Sequence, residues 1–183
     1  MELRVLFNIY TLLTISLGWM FLFSSFSKFS NLRNHFIIIK NYDIVSESQA
    51  KFFSRIDPSF ELVASIMMIL GIYTKYALLL VLLLITLYSI SIVINLLKGR
   101  TNIECGCGGL LGSHNLSWKL IYRNALLILM ISFLYTYTII VNGDGSAHID
   151  WNYHFIFVSL SLLLFIKSIQ YLINIRSITE GVH

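Results

Sequence analysis

The apolar residues of this chain come in long blocks and not in alternation. A hydrocarbon core about 30 Å thick needs roughly 20 apolar helical residues. Five blocks approach that length: residues 5–26, 58–73, 76–97, 118–141 and about 154–175. The second is the shortest. The third is the strongest, with LLLVLLLITL inside it. Backbone groups in lipid must be hydrogen-bonded within their own segment, so the pattern predicts helices in all five blocks.

Punctuation between blocks refines the picture. Asp57 is suited to an N-cap and Pro58 to a first helical position, which predicts that the second span starts there. Gly71 and Lys75 mark its end, so the turn to the third span is tight and these two helices pair antiparallel. In the polar segment 27–57, Phe29, Leu32, Phe36 and Ile39 recur at helical spacing, punctuated by Lys28, Arg33 and Lys40. That pattern predicts an interfacial amphipathic helix after the first span, against the alternative of an ordinary polar loop. No internal repeat or low-complexity tract interrupts the chain. The reading is all-α: a polytopic membrane helical bundle forming one domain over residues 1–183, with a four-span core at 5–141 and a fifth C-terminal span near 154–175.

Composition supports this reading and excludes others. Of 183 residues, 57% are hydrophobic and 12% are charged, and the mean hydropathy is +0.78. A soluble domain would be about half apolar and a quarter charged. The net charge of +4 forms no basic stripe with interleaved aromatics, so it carries no nucleic-acid signal. The basic residues flank apolar blocks, as they do around membrane spans. Two cysteines are too few for a disulfide-stapled scaffold. The first block is too long for a signal-peptide core and lacks a small-residue cleavage site, so it is expected to be retained.

Charge also bears on orientation. Lys28, Arg33, Lys40, Lys51, Arg55, Lys98, Arg100, Lys119, Arg123, Lys167 and Arg176 fall on one side of the predicted topology, and only Arg4 and Lys75 on the other. The positive-inside rule then puts the N-terminus outside and the loop at 98–117 in the cytoplasm.

That loop contains NIECGCGG and both cysteines of the chain, Cys105 and Cys107. A disulfide between them closes a small, strained ring, and strained disulfides are the labile, catalytic ones. Gly106, Gly108 and Gly109 give the backbone the freedom this requires. Arg100 favours the reactive thiolate, and Glu104 opposes it. The functional reading is a reversible dithiol–disulfide couple, and the plain alternative is two unpaired cysteines. A metal site using Cys105, Cys107 and His114 lacks a fourth ligand and the usual zinc spacing. No metal is assigned. An iron–sulfur cluster needs about four protein ligands, more than this chain's cysteines can supply.

Several polar residues lie within or beside the spans. Glu61 sits one turn into the second, and an ionisable residue in a span marks a functional site by default. The alternative is a carboxylate paired with a nearby lysine at the interface. Lys28 ends the first span, where snorkelling is the ordinary role. Arg123 and Asn124 lie one turn into the fourth. Lys28, Glu61 and Arg123 belong to the same membrane face in this topology, and a cluster of the three would suit a quinone headgroup or a partner protein. His35, His114, His148, His154 and His183 read as structural or solvated. Trp19, Tyr88 and Tyr135 read as packing or interface anchors.

Four stretches together resemble a known family: FSSFSKF, DPSFELVASIMMILG, LLKGRTNIECGCGG and SWKLIYRNALL. Their order and spacing are similar to the DoxX-like superfamily, and within it to the methylamine-utilisation MauE branch. The resemblance covers roughly residues 5–141. It implies a bundle of four core spans. It also implies a redox role for Cys105 and Cys107 with a thioredoxin-like partner, and a supporting role for Lys28, Glu61, Arg123 and Asn124. The chain departs from the family pattern at Ser25, where a glycine is common, and in its fifth span. Disulfide partners work outside the cytosol, so the resemblance and the charge rule place the cysteine loop on opposite sides. The functional expectation is a membrane thiol–disulfide redox protein, with a membrane quinone as a candidate cofactor. The alternatives are a non-enzymatic assembly, maturation or immunity factor with structural cysteines, and a metal-handling protein.

Overall fold

The computed structural model describes residues 2–103, 116–142 and 157–160. Cys105, Cys107 and His114 lie outside the described residues, as does the expected fifth span apart from helical residues 157–160. The elements run α1 (Glu2–Ser30), α2 (Leu32–Asn41), α3 (Glu47–Leu70), α4 (Thr74–Leu97) and α5 (Trp118–Asn142). There is no strand among the described residues. Three segments are long and apolar enough to cross a membrane: Leu6–Ser30, Thr74–Leu97 and Trp118–Ile140. The fourth long helix, α3, carries Glu47, Lys51, Arg55 and Asp57 in its first half and becomes apolar only from Pro58 onward.

The four long helices form an up-and-down bundle. Gly18 of α1 abuts Ile69 of α3, while Lys28 of α1 reaches Glu61, so these two run antiparallel. The three residues Gly71 to Tyr73 separate α3 from α4, and the tight antiparallel turn expected from sequence is present. Gly71 has φ +65°, a left-handed conformation that glycine adopts without strain. Ser89 of α4 meets Asn124 of α5. Tyr10 near the start of α1 bonds Thr138 near the end of α5 at 2.8 Å, closing the ring.

Each helix buries a stripe with steps of three and four. In α1 it is Thr11, Thr14, Gly18, Phe21, Ser25 and Lys28; in α3 it is Ala50, Ser54, Pro58, Glu61, Ser65 and Met68. In α5 it is Leu120, Asn124, Leu127, Ile131, Leu134 and Thr138, of which Leu127 is half-buried. In α4, Leu78, Val81, Ile85, Ile92 and Asn95 are buried and Tyr88 is half-buried, all at the same spacing. Such spacing keeps one seam facing the neighbouring helices along a bundle. Leu17, Phe21, Met68, Leu78, Val81, Ile85, Ile131 and Leu134 make the central apolar core.

Two local expectations are corrected. The N-cap of α3 is Ser46, not Asp57, and Asp57 and Pro58 lie inside the helix. Ser46 and Gln49 form a reciprocal capping box: the Gln49 N–H donates to the Ser46 hydroxyl and the Ser46 N–H to the Gln49 side chain. The helix therefore begins well before the proline. An interior proline leaves one backbone acceptor, on Ser54, without its helical donor. Packing offsets that cost, because Pro58 and Ser54 are buried and the Ser25 hydroxyl donates to the Pro58 carbonyl at 2.8 Å. Ser25, the departure from the family pattern, is thus a small buried residue with a role in helix contact. Replacing Ser46→Ala should destabilise the fold by about 1 kcal/mol, read as a lower thermal unfolding midpoint in detergent; an unchanged midpoint would deny the cap any role.

The amphipathic helix expected in 27–57 is present as α2, but it begins at Leu32, and Phe29 belongs to α1. It packs onto α3 and buries His35 and Ile38, with Leu32, Phe36 and Ile39 half-buried beside them. A one-residue turn at Asn31, whose N–H bonds the Lys28 carbonyl, separates α1 from α2 and leads the chain into this packing.

The same end of the bundle anchors the segment between α4 and α5. The Leu116 N–H donates to the Ile103 carbonyl at 2.9 Å, which fastens the two ends of that segment together. Ile92, Leu96, Leu116 and Leu120 form a second apolar cluster, covered by Tyr42, Ile103 and Ile121. Arg100 pairs with Asp43, just after α2, at 3.1 Å.

Candidate functional site

Buried stripes of α1, α3 and α4 converge at one level of the bundle and bring their polar members together. Lys28 is 5% exposed and Glu61 1%, so neither snorkels toward water. The Lys28 ammonium donates to Glu61 Oε1 at 2.7 Å, to Asp57 Oδ2 at 2.8 Å and to the Tyr88 hydroxyl at 2.9 Å. Three donors meet three acceptors, which is the full capacity of an ammonium. Tyr88 in turn reaches Glu61 Oε1 at 2.9 Å and makes a close hydrogen bond with Asp57 Oδ1. The Ser24 hydroxyl donates to Glu61 Oε2 at 3.2 Å. From α2, His35 Nε2 lies 3.0 Å from Asp57 Oδ2.

This arrangement resolves the two readings of Lys28 and Glu61 in favour of an internal pair. One turn separates Asp57 from Glu61, so both carboxylates share a face of α3 and flank one cation. Three residues of the cluster make contacts that were not expected from sequence. Asp57 is a buried ligand of Lys28 rather than a cap. His35, read as structural or solvated, is a buried partner of Asp57, the first of those alternatives, though the contact was not foreseen. Tyr88 contributes its hydroxyl, where packing alone was expected. The helical stripes are the signal that finds Tyr88, and the i, i+4 spacing to Glu61 is the signal for Asp57. His35 carries no comparable signal, because its burial depends on how α2 folds back.

Arg123 lies outside this set of contacts. Its guanidinium donates to Asn124 Oδ1 at a long 3.4 Å, and Asn124 Nδ2 donates to the Ser89 hydroxyl at 3.2 Å. Ser89 follows Tyr88 in α4, so this smaller polar pair sits one residue along that helix from the main cluster. The place expected for Arg123 beside Glu61 is taken by Asp57 and Tyr88. Arg123 Nε is buried with no hydrogen-bond partner among the described residues. No group of three or more potential metal ligands occurs among the described residues.

The cluster and the ends of the 104–115 segment occupy the same end of the bundle, since α1 and α4 finish there and α3 and α5 start there. Its chemistry is that of a saturated ion network. The ammonium has no donor left for a ligand, and the groups with free capacity are at its edge.

Comparison with known proteins gives a consistent result. A family model described as methylamine utilisation protein MauE matches residues 6–137. The chain is 33% identical over 94 residues to the methylamine utilization protein MauE of Methylorubrum extorquens, covering 51% of this chain and 50% of that protein. It is 25% identical over 117 residues to the protein of the same name from Paracoccus denitrificans, covering 63% and 62%. The corresponding protein of Paracoccus versutus is 25% identical over 114 residues, covering 62% and 61%. The matches therefore span about half to three fifths of these relatives. No solved structure matches the chain. The family match runs through all four long helices and both polar groups, and the chain belongs to the MauE family of integral bacterial membrane proteins.

Proposed function

We propose that the chain is a membrane thiol–disulfide redox protein in which Cys105 and Cys107 exchange a disulfide with a thioredoxin-like partner. Its relatives are named methylamine utilization proteins, which supports methylamine utilisation as the setting of this role. The reaction conserves electrons without an added oxidant. A Cys thiolate attacks the partner's disulfide, one partner thiolate leaves, and the second Cys attacks the mixed disulfide. The partner gains two electrons and two protons, and the pair is left as a disulfide; the reverse order oxidises the partner. In the first direction a membrane quinol would supply two electrons and two protons to restore the dithiol; in the reverse direction a membrane quinone would take them up to restore the disulfide.

One observation supports this reading best. The segment holding the chain's two cysteines is closed at its base by the Leu116–Ile103 bond and braced by Arg100–Asp43. A fixed base lowers the entropic cost of bringing the two ends of that segment together for a partner. Cys105 follows Ile103 by only two residues. The saturation of Lys28 directs a quinone away from its ammonium and toward Arg123, whose Nε has no partner among the described residues.

The test is trapping with a thioredoxin-like partner whose resolving cysteine is replaced. Wild-type chain should form a mixed disulfide, seen as a reductant-sensitive band shift. Cys105→Ser and Cys107→Ser should each abolish partner turnover, and the double variant should lose trapping as well. Full turnover in the double variant would overturn the redox reading. Labelling intact cells with a membrane-impermeant thiol reagent, before and after reduction, decides which side the pair faces.

A further inference from the structure

Buried charges in the Lys28 cluster do not balance. One ammonium, on Lys28, faces two carboxylates, on Asp57 and Glu61, and side chains of α1 to α4 enclose all three. An uncompensated buried charge is costly, and the cost disappears when a proton neutralises it. Among the described residues, the titratable groups bonded into the cluster are Lys28 from α1, His35 from α2, Asp57 and Glu61 from α3, and Tyr88 from α4. With Lys28 charged, one added proton balances the set.

A second observation concerns His35. The His35 side chain is 7% exposed, and its Nε2 faces Asp57 Oδ2. Its other nitrogen, Nδ1, is buried with no hydrogen-bond partner among the described residues. A buried imidazole nitrogen left open is unusual, since such groups are nearly always bonded. Arg33 and Asn34, the two residues before it, are exposed, so His35 is flanked on the chain by surface residues. Imidazole accepts a proton on one nitrogen and releases one from the other.

We infer that the Lys28–Asp57–Glu61–Tyr88 cluster is a single-proton exchange site, loaded through His35. A proton from water binds Nδ1 of His35, and the proton on Nε2 passes to Asp57 Oδ2. Lys28 and Tyr88 each touch both carboxylates and connect Asp57 to Glu61. The net change is uptake of one proton and conversion of one carboxylate, Glu61, to a carboxylic acid; no electron moves. Ser24, which donates to Glu61 Oε2, holds the second carboxyl oxygen while the first is protonated. This inference is independent of the cysteines.

Infrared difference spectroscopy on the full chain in phosphatidylcholine bilayers tests it. Acidification should produce the C=O stretch of a protonated carboxylic acid, shifted in heavy water. Glu61→Gln should remove the band. That variant leaves one ammonium facing one carboxylate, so it keeps a balanced cluster and a folded bundle. Asp57→Asn should remove the band too, although Glu61 is still present, because one cation then meets one anion. In His35→Gln the band should remain but form on the order of a hundredfold more slowly after a pH jump. Absence of the band in the wild type, its survival in Glu61→Gln or Asp57→Asn, or an unchanged rate in His35→Gln would each overturn the inference.

Discussion

Replacing Lys28→Met should destabilise the folded bundle by about 3–5 kcal/mol, the usual cost of breaking a buried ion pair from one side. Methionine fills the space and keeps the helix, so the loss isolates the charge. Three acceptors lose their donor at once, because Glu61, Asp57 and Tyr88 all receive from the same ammonium. Helices α1, α3 and α4 meet through that one atom, and α2 joins them through His35 and Asp57. The effect should therefore be global, with loss of the monodisperse species on size exclusion in detergent and an earlier thermal transition. The triple variant Lys28→Met, Asp57→Asn, Glu61→Gln should recover most of the loss, since replacing a whole buried ion set is far cheaper than halving it. A Lys28→Met variant as stable as wild type would mean that the ammonium is not the countercharge of the two carboxylates.

The architecture was legible where the pattern of burial repeats. Blocks of about twenty apolar residues announced the long helices, and Gly71 announced the turn between α3 and α4. The polar residues Lys28, Glu61 and Asn124 fall on the three-four stripes of their helices, as Tyr88 does on α4. Placing those stripes side by side would have paired Lys28 with Glu61 and brought Tyr88 to them. The start of α3 was misread because Asp-Pro is a good opening signal in isolation. Ser46 with Gln49 is an equally good one, and packing of Ala50 and Ser54 decides between them. His35 was illegible for a different reason. Its burial requires α2 to fold back across α3, a tertiary fact that no local spacing encodes.

The ion pairs also bear on how the charge asymmetry is read. Lys28 is neutralised inside the protein, and Lys40 and Arg100 are paired with Glu47 at 3.0 Å and Asp43 at 3.1 Å. Topology rules count cations near the ends of spans because those cations resist translocation. Pairing with a carboxylate does not lower that count, because the rule is not one of net charge. The basic end of the bundle keeps the cytoplasmic mark of the bare tally. The charge rule and the proposed redox role therefore still put the cysteine segment on opposite sides, and impermeant labelling of the cysteines is the deciding measurement.

Gly18→Leu should separate α1 from α3 and prevent the bundle from closing. A Cβ added at Gly18 would lie 2.8 Å from Ile69 Cγ1, 3.2 Å from the Ser65 carbonyl and 3.3 Å from the Ile69 amide. Two of those three neighbours are backbone, which cannot turn aside. Small residues at such crossings let membrane helices approach closely, and dispersion over that contact is what holds them. The conservative change Gly18→Ala sets two effects against each other. Overpacking costs about 1–3 kcal/mol, while alanine favours the helix by about 1 kcal/mol. The net result should be a modest loss, which Ile69→Ala relieves in part by removing the nearest atom. Leucine has no such compromise, because its branches extend into the Ser65 carbonyl. Separation here would propagate along α1 to Lys28, ten residues away, where contacts of 2.7 and 2.8 Å to Glu61 and Asp57 tolerate little displacement. The check is a double-mutant cycle on thermal stability. Gly18→Ala and Ile69→Ala should couple favourably, and Gly18→Leu should fail to give a monodisperse folded protein; a Gly18→Leu variant that folds and melts like wild type would show that the α1–α3 contact is looser than these distances.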